Sequence, residues 1–121
     1  MNIRRGDVIA VDLGNRFGCE IDGIRPALVI QNDIGNEYSP TTIIAPFTAK
    51  KAKELELPVH VKGVSLKKES ILLLEQITTI DKKKILGILN HLGEETMKEV
   101  DEKIKASLAV WYVFKQWQNI S

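Results

Sequence analysis

The sequence predicts an α+β domain in which short strands form a small closed barrel and a C-terminal helix packs on it. Between residues 7 and 92, apolar residues come in short runs separated by glycine, proline and other turn-forming residues. From Glu94 onward they recur at spacings of three and four, which is the period of one helix face. Strands followed by a helix favour a barrel or sheet that the helix covers.

Length, charge and cysteine content limit the class of protein. At 121 residues, we expect residues 1–121 to form a single domain around one hydrophobic core. The net charge of +1 means that any nucleic-acid surface must be local. The only cysteine, Cys19, excludes an intrachain disulfide and fits a reducing compartment. The N-terminus lacks the apolar core of a signal peptide and no apolar run is long enough to span a bilayer, so we expect a cytoplasmic protein without a membrane partner.

The strands are predicted from the apolar runs and the turn residues between them. They are residues 7–13, 27–30, 41–48, 57–61, 71–74, 77–80 and 85–92. Glu75 and Gln76 are predicted to kink the strand region from 71 to 80. Gly87 favours a strand over a helix for residues 85–92. Residues 33–40 have the composition of a turn.

The C-terminal helix carries more apolar surface than one packing face needs. Its predicted buried face is Met97, Val100, Ile104, Leu108 and Trp111. Residues 106–114 are apolar nearly all round, which predicts a second buried surface. A two-fold homodimer interface is the favoured use, with a partner groove or a membrane surface less favoured because the flanking charges are mixed. The residues expected there are Val110, Trp111, Val113, Phe114 and Trp117.

A charged loop leads directly into the second predicted strand. Residues 14–23 hold three glycines and several charges, and Arg25-Pro26 follows. The proline keeps the preceding backbone extended, and the planar guanidinium of Arg25 suits a phosphate group. The alternative is a structural arginine paired with Glu20 or Asp22. Thr48, at a strand end, either donates its hydroxyl to a phosphoryl oxygen or is an ordinary strand residue.

Two segments resemble the signatures of a known family. They are Gly18-Cys19-Glu20-Ile21-Asp22-Gly23-Ile24-Arg25-Pro26 and Ser70-Ile71-Leu72-Leu73-Leu74-Glu75-Gln76-Ile77-Thr78-Thr79-Ile80-Asp81. Both resemble the MazF/PemK-type toxins, small bacterial endoribonucleases that cut messenger RNA. The resemblance spans nearly the whole chain. It implies an SH3-like, MazF/CcdB-like barrel with a C-terminal helix, assembled as a homodimer.

The resemblance also implies an activity and its partners. The expected protein is a sequence-selective endoribonuclease toxin of a type II toxin–antitoxin system that cuts single-stranded mRNA. The adjacent 2′-hydroxyl attacks phosphorus, which leaves a 2′,3′-cyclic or 3′ phosphate and a 5′-hydroxyl. A cognate antitoxin is the expected protein partner, with an acidic segment folded across the RNA groove and DNA binding by the complex.

The resemblance implies that Arg25 and Thr48 are catalytic. A guanidinium is essentially always protonated, so we expect Arg25 to neutralise the pentacoordinate phosphorane, helped by Thr48. Glu20 either accepts a proton or orients Arg25 through a salt bridge. No cofactor or metal is expected, and the sequence has no Cys/His cluster with ligand spacing.

Substrate binding is predicted from residues that flank the catalytic pair. The predicted set is Phe17, Cys19, Glu20, Asp22, Lys50 and Gln76. Phe17 either stacks on a splayed base or anchors the loop. Gln76 either pairs with a base edge or belongs to a strand bulge. Lys50 belongs with Lys51 and Lys53 to a basic patch that guides RNA or is a solvated charge run.

The chain departs from the family pattern at several of these positions. Cys19 stands where the family usually has serine, and Ile21-Asp22 replaces Gln-Gly. Thr78 replaces an arginine in the second signature. These departures predict a changed sequence preference. Two other functions stay open: a non-catalytic toxin that acts by protein contact, as gyrase inhibitors with the same barrel do, and a degenerate RNA-binding module. The Arg25 and Thr48 pair is what separates an enzyme from both.

Overall fold

The computed structural model describes residues 2–49, 60–65 and 69–110. It confirms the predicted α+β class, with strands first and a long helix last. The elements are β1 (Asp7–Asp12), β2 (Ile24–Val29), α1 (Asp33–Tyr38), β3 (Thr41–Ala49), β4 (His60–Ser65), β5 (Glu69–Leu73), β6 (Thr78–Asp81), a 3₁₀ turn (Lys82–Lys84), β7 (Ile85–His91) and α2 (Glu94–Leu108). Of the strand predicted at residues 57–61, the part before residue 60 lies outside the described residues.

The strands form one antiparallel sheet in which β3 is central. The strand order is β4-β5-β3-β2-β1-β7, and β6 also pairs with β3. β5 and β6 pair with successive parts of β3, residues 47–49 and 41–44 respectively. The chain leaves the sheet between them, around Glu75 and Gln76. The predicted kink is therefore a turn at residues 74–75, between the two strands that pair with β3.

Two hydrophobic clusters fill the molecule. The first lies beneath α2 and contains Val8, Leu28, Ala45, Phe47, Leu72, Leu74, Leu92 and Val100. The second contains Ile3, Ile9, Val11, Leu13, Ala27, Val29, Ile44, Ile80 and Ile85. Ile80 and Ile85 belong to β6 and β7, which lie at opposite ends of the path β6-β3-β2-β1-β7. Because both side chains enter the same cluster, the sheet wraps around it as a small barrel.

The long helix is fixed to the barrel by packing and by polar contacts. Val100 is fully buried, Arg5 forms an ion pair with Asp101 at 2.7 Å, and Ser107 Oγ donates to the carbonyl of Leu74 at 2.7 Å. The helix ends at Leu108, and Ala109 adopts a left-handed conformation with φ of 57°. No helix in the described part of the chain is long and apolar enough to cross a membrane.

The prediction that Leu108 belongs to the buried face of the helix is wrong, because it lies in the last turn of α2 and is 56% exposed. The predicted dimer residues are only partly described. Val110 is 53% exposed, so it is not covered within one subunit. Trp111, Val113, Phe114 and Trp117 lie outside the described residues.

The prediction of a simple turn at residues 33–40 is wrong, because residues 33–38 form α1. Asn32 caps this helix by accepting a hydrogen bond from Gly35 N at 2.8 Å. Asn36 is buried, and Thr42 Oγ1 donates to its side-chain oxygen at 2.7 Å. Capping and this tertiary contact stabilise a helix that is too short for a hydrophobic period to reveal.

Candidate active site

The two predicted catalytic residues lie on neighbouring strands. Ala27 of β2 pairs with Pro46 of β3 at the end of their ladder, and Arg25 and Thr48 each lie two residues beyond that pair, towards the same end. Pro46 has no amide hydrogen to donate, and beyond it β3 pairs with β5 on its other edge. Residues opposite each other in an antiparallel pair point to the same face. The register therefore brings Arg25 and Thr48 to one end and one face of the sheet, where both are half-buried.

The loop beside this end of the sheet fixes the direction of Arg25. The Arg25 Nε donates to the main-chain carbonyl of Asp22 at 3.0 Å. This acceptor is neutral, so the contact does not cancel the charge of the guanidinium. Within the described residues the two terminal nitrogens of Arg25 donate to no protein acceptor. Their N–H groups are therefore available in the planar arrangement that suits a phosphate. The alternative, in which Arg25 is paired with the carboxylate of Glu20 or Asp22, is not what the structure shows.

Glu20 pairs with a different arginine. Its Oε2 lies 3.6 Å from Arg16 Nε, and the Glu20 side chain is 56% exposed. The same oxygen accepts a hydrogen bond from Phe17 N at 3.2 Å. The expected salt bridge to Arg25 is therefore wrong, since the geometry of the loop directs Glu20 to Arg16. A role for Glu20 as a proton acceptor stays a prediction.

The remaining substrate-binding predictions fall on the same loop, with different outcomes. Phe17 is 91% exposed, so its alternative role as a buried loop anchor is wrong. Cys19 and Asp22 are also exposed. Lys50 lies outside the described residues, as do Lys51 and Lys53.

Gln76 holds the loop rather than facing solvent. Its Oε1 accepts from Ile21 N at 2.8 Å and its Nε2 donates to the carbonyl of Cys19 at 3.2 Å. Both functional atoms of the carboxamide are thus engaged by the loop main chain. The structure favours a positioning role for Gln76 over the predicted contact with a base edge.

The base of the loop is closed by main-chain hydrogen bonds. Leu13 N donates to the carbonyl of Gly23 at 2.9 Å, and Gly23 N donates to the carbonyl of Gly14 at 2.8 Å. Gly23 has φ of 72°, a conformation that side chains with a Cβ rarely adopt. The loop is thus closed at Gly23, two residues before Arg25, and β2 begins at the next residue.

Sequence reasoning missed Arg16. Its NH2 donates to Thr78 Oγ1 at 3.2 Å, and its side chain is 23% exposed. The partner lies 62 positions away in the sequence, so no local pattern marks the contact. The one available signal was Thr78 itself, which stands where the second signature usually has arginine.

Neither histidine was predicted to bind a metal. His91 Nδ1 lies 2.7 Å from Asp7 Oδ1. Among the described residues, no group of three or more His, Cys, Asp or Glu side chains is arranged to hold a metal ion.

Comparison with known proteins identifies the family. A model of PemK-like, MazF-like toxins of type II toxin–antitoxin systems matches residues 4–108. Endoribonuclease EndoA of Bacillus subtilis (strain 168) is 47% identical over 114 residues, which are 91% of this chain and 97% of that protein. The chain therefore belongs to the PemK-like, MazF-like family of toxins, as the two signature segments predicted.

Solved structures confirm the fold. MazF from Deinococcus radiodurans matches with a TM-score of 0.77 at 20% identity, covering 90% of this chain and 98% of that one. An endoribonuclease from Mycobacterial species, solved in complex with its cognate antitoxin, matches with a TM-score of 0.70 at 21% identity, covering 89% and 94%. The predicted MazF-like barrel with a C-terminal helix is thus confirmed.

Proposed function

We propose that this chain is the endoribonuclease toxin of a type II toxin–antitoxin pair and that it cleaves single-stranded mRNA without a metal. Its family and its 47% identity to an endoribonuclease support the enzyme class. The observation that carries the mechanism is that Arg25 and Thr48 lie towards the same end of the β2–β3 pair, each two residues beyond Ala27 and Pro46. The uncancelled charge of Arg25 at the mouth of the loop supports the same assignment.

The chemistry follows from these two side chains and the RNA. The 2′-oxygen attacks the adjacent phosphorus and the bond to the 5′-oxygen breaks, which gives a 2′,3′-cyclic phosphate and a 5′-hydroxyl. Addition of water to the cyclic phosphate, with cleavage of its bond to the 2′-oxygen, then gives the 3′ phosphate. The terminal donors of Arg25 and the hydroxyl of Thr48 stabilise the charge that develops on the phosphorane oxygens. One proton leaves the 2′-oxygen, for which Glu20, exposed on the same loop, is the candidate acceptor. The 5′-oxygen takes its proton from solvent.

Sequence selectivity is assigned to the exposed side chains of the loop. Phe17 offers a ring for stacking against an unpaired base, while Cys19 and Asp22 are exposed beside it. Lys50 is proposed to guide the RNA backbone. We expect a cytoplasmic protein that is inhibited by a cognate antitoxin and that binds DNA together with it. A complex with a cognate antitoxin in a Mycobacterial relative of the same fold supports this partner.

A homodimer is proposed because apolar side chains remain exposed on one subunit. Leu108 and Val110 at the end of α2 are exposed, as are Leu86, Ile88 and Leu89 on β7, which is an edge strand. Exposed apolar side chains on an unpaired edge favour association. Light scattering at micromolar concentration should give the mass of a dimer, and a monomer mass would refute the assembly.

The activity is tested by incubating the purified protein with total RNA in excess chelator and mapping the new 5′ ends. We expect 5′-hydroxyl ends at a defined motif. Arg25→Ala should slow cleavage by ~10²-fold or more, and Thr48→Ala should also reduce it. Lys98→Ala, an exposed position on α2, is the matched control for loss of one positive charge. Cleavage that requires added magnesium, or an Arg25→Ala protein that cuts at the parental rate, would refute the mechanism.

The Arg25→Ala variant, expressed in growing cells and incubated with RNA in vitro, separates the two alternatives. A protein-contact toxin would arrest growth with Arg25→Ala as strongly as the parent does. A degenerate binding module would retain RNA without producing new ends. The engagement of Arg25 by a neutral carbonyl, which leaves its charge available, favours the enzyme over both.

A further inference from the structure

Arg16 brings a second guanidinium to the loop that carries Arg25. Residue 16 lies in the loop between β1 and β2, and its NH2 donates to Thr78 Oγ1 at the first residue of β6. Thr78 is a neutral partner, so this bond fixes the direction of the guanidinium without cancelling its charge. Within the described residues the NH1 group of Arg16 donates to no protein acceptor.

We propose that Arg16 is a further RNA-binding residue that contacts a backbone phosphate of the strand beside Phe17. This inference rests on the proposed endoribonuclease function and adds a contact to it. Phe17 follows Arg16 directly and is 91% exposed. An aromatic face beside a cationic group is the arrangement that binds single-stranded nucleic acid, with the base on the ring and the phosphate on the cation.

The ion pair with Glu20 does not prevent this contact. Its N–O distance is 3.6 Å, and the side chains of Arg16 and Glu20 are 23% and 56% exposed. At this distance, and with Glu20 open to solvent, the pair contributes little free energy, whereas a guanidinium can form two parallel hydrogen bonds to one phosphate. A bound phosphate can therefore occupy Arg16 and release Glu20 for its proposed role as a proton acceptor.

The position of the Arg16 guanidinium explains why this chain can have threonine at position 78. The second signature usually has arginine at that position, whereas here the guanidinium that reaches it belongs to Arg16. If the positive charge matters more than the residue that supplies it, Thr78→Arg should compensate for loss of Arg16. If Arg16 acted only by stabilising the loop through its hydrogen bond to Thr78, Thr78→Arg would not restore that bond, because Arg16→Ala removes its donor.

The test measures binding to an RNA oligonucleotide that contains the mapped cleavage motif and a 2′-deoxy substitution at the scissile nucleotide. Cleavage of the unmodified oligonucleotide by the parent is measured first, and its absence would refute the proposed function. Arg16→Ala should weaken binding by about tenfold and reduce the slope of log K against log salt by about 0.7, the value for one phosphate contact on a single strand. The double variant Arg16→Ala/Thr78→Arg should regain both affinity and slope. Lys98→Ala should match the parent in both.

Two results would overturn the assignment in a parent that cleaves RNA. Arg16→Ala could bind with the parental affinity and salt slope, which would show that no phosphate contact was lost. Alternatively, affinity could fall with an unchanged salt slope, as it would if Arg16 only shaped the loop. Thermal unfolding followed by circular dichroism identifies any variant that loses its fold. If Arg16→Ala alone is unfolded, the affinity and salt slope of the double variant Arg16→Ala/Thr78→Arg, compared with those of the parent, decide the test.

Discussion

Gln76 fastens the loop of the active site to the sheet through Ile21, whose main-chain N–H donates to Gln76 Oε1 at 2.8 Å. The two residues are 55 positions apart. Gln76 follows the turn between β5 and β6, so its position follows from the way both strands pair with β3. A second bond, from Gln76 Nε2 to the carbonyl of Cys19 at 3.2 Å, completes the attachment. The shape of the loop that carries Phe17 and Glu20 therefore depends on a residue outside it.

Replacing Gln76 should reduce activity through the loop. Gln76→Ala removes both hydrogen bonds, and at about 1 kcal/mol for each bond we expect kcat/KM to fall by roughly tenfold or more. Gln76→Glu keeps the acceptor for Ile21 N and loses the donor to Cys19, so its loss should be smaller. Cleavage of a fluorescent RNA oligonucleotide measures both. Equal activity of Gln76→Ala and the parent would show that these bonds do not hold the loop in its active shape.

The strands and the long helix could be predicted from the sequence because their signals are local. Apolar runs and the turn residues between them predicted the strands, and the spacing of Met97, Val100 and Ile104 predicted the packed face of α2. The short helix α1 could not be predicted in this way. Its capping by Asn32 and the burial of Asn36 against Thr42 depend on a strand that follows it.

The candidate site was predictable to the extent that its residues match the family resemblance. Arg25, inside the first signature, and Thr48, outside both, were identified in this way, and the strand pairing then placed them towards the same end of β2 and β3. The contacts of Arg16 with Glu20 and Thr78 were not predictable, because any charged residue of the loop could have paired with either arginine. Such choices depend on side-chain direction, which a single sequence does not specify.

Phe17 should act in binding and not in stability. Because its side chain is 91% exposed, Phe17→Ala removes little buried area and should leave the melting temperature unchanged. Loss of a stacked base should weaken RNA binding by about 1–3 kcal/mol. Phe17→Leu keeps an apolar side chain without an aromatic face and should restore only part of the affinity. A large drop in melting temperature with unchanged affinity would show instead that the ring packs against the protein.

Asp22 should affect sequence preference more than overall rate. Its side chain is exposed, while its main-chain carbonyl holds Arg25. Asp22→Asn removes the charge and keeps the backbone restrained, whereas Asp22→Gly also frees the backbone. If the carboxylate accepts a hydrogen bond from a base edge, both variants should shift the cleavage motif found by mapping 5′ ends. A uniform increase in rate with the motif unchanged would show that Asp22 acts only by repelling phosphate.

Asp33 should make a small, pH-dependent contribution to stability. The main-chain N–H of Arg5 donates to Asp33 Oδ1 at 2.7 Å, and this bond is the largest cause that lowers the pKa of Asp33 below its ordinary value of 3.8. Burial opposes this effect by raising the pKa, while Asn36 and the charges of Arg4 and Arg5 lower the pKa further. A carboxyl group with a lowered pKa in the folded state stabilises that state when ionised, and the contribution is lost as the pH falls through the folded-state pKa.

Asp33→Asn should therefore lower the free energy of unfolding at neutral pH by at most about 1 kcal/mol, because the exposed carboxylate is screened by solvent. The difference from the parent should shrink as the pH falls below about 4, where the parent's carboxyl group also becomes neutral. Urea unfolding at a series of pH values measures it. Glu37→Gln removes a charge from the same helix at an exposed position and serves as the control. A difference that stays constant from neutral pH to below pH 3 would mean that Asp33→Asn acts through altered hydrogen-bond geometry, and that ionisation of Asp33 does not stabilise the contact with Arg5.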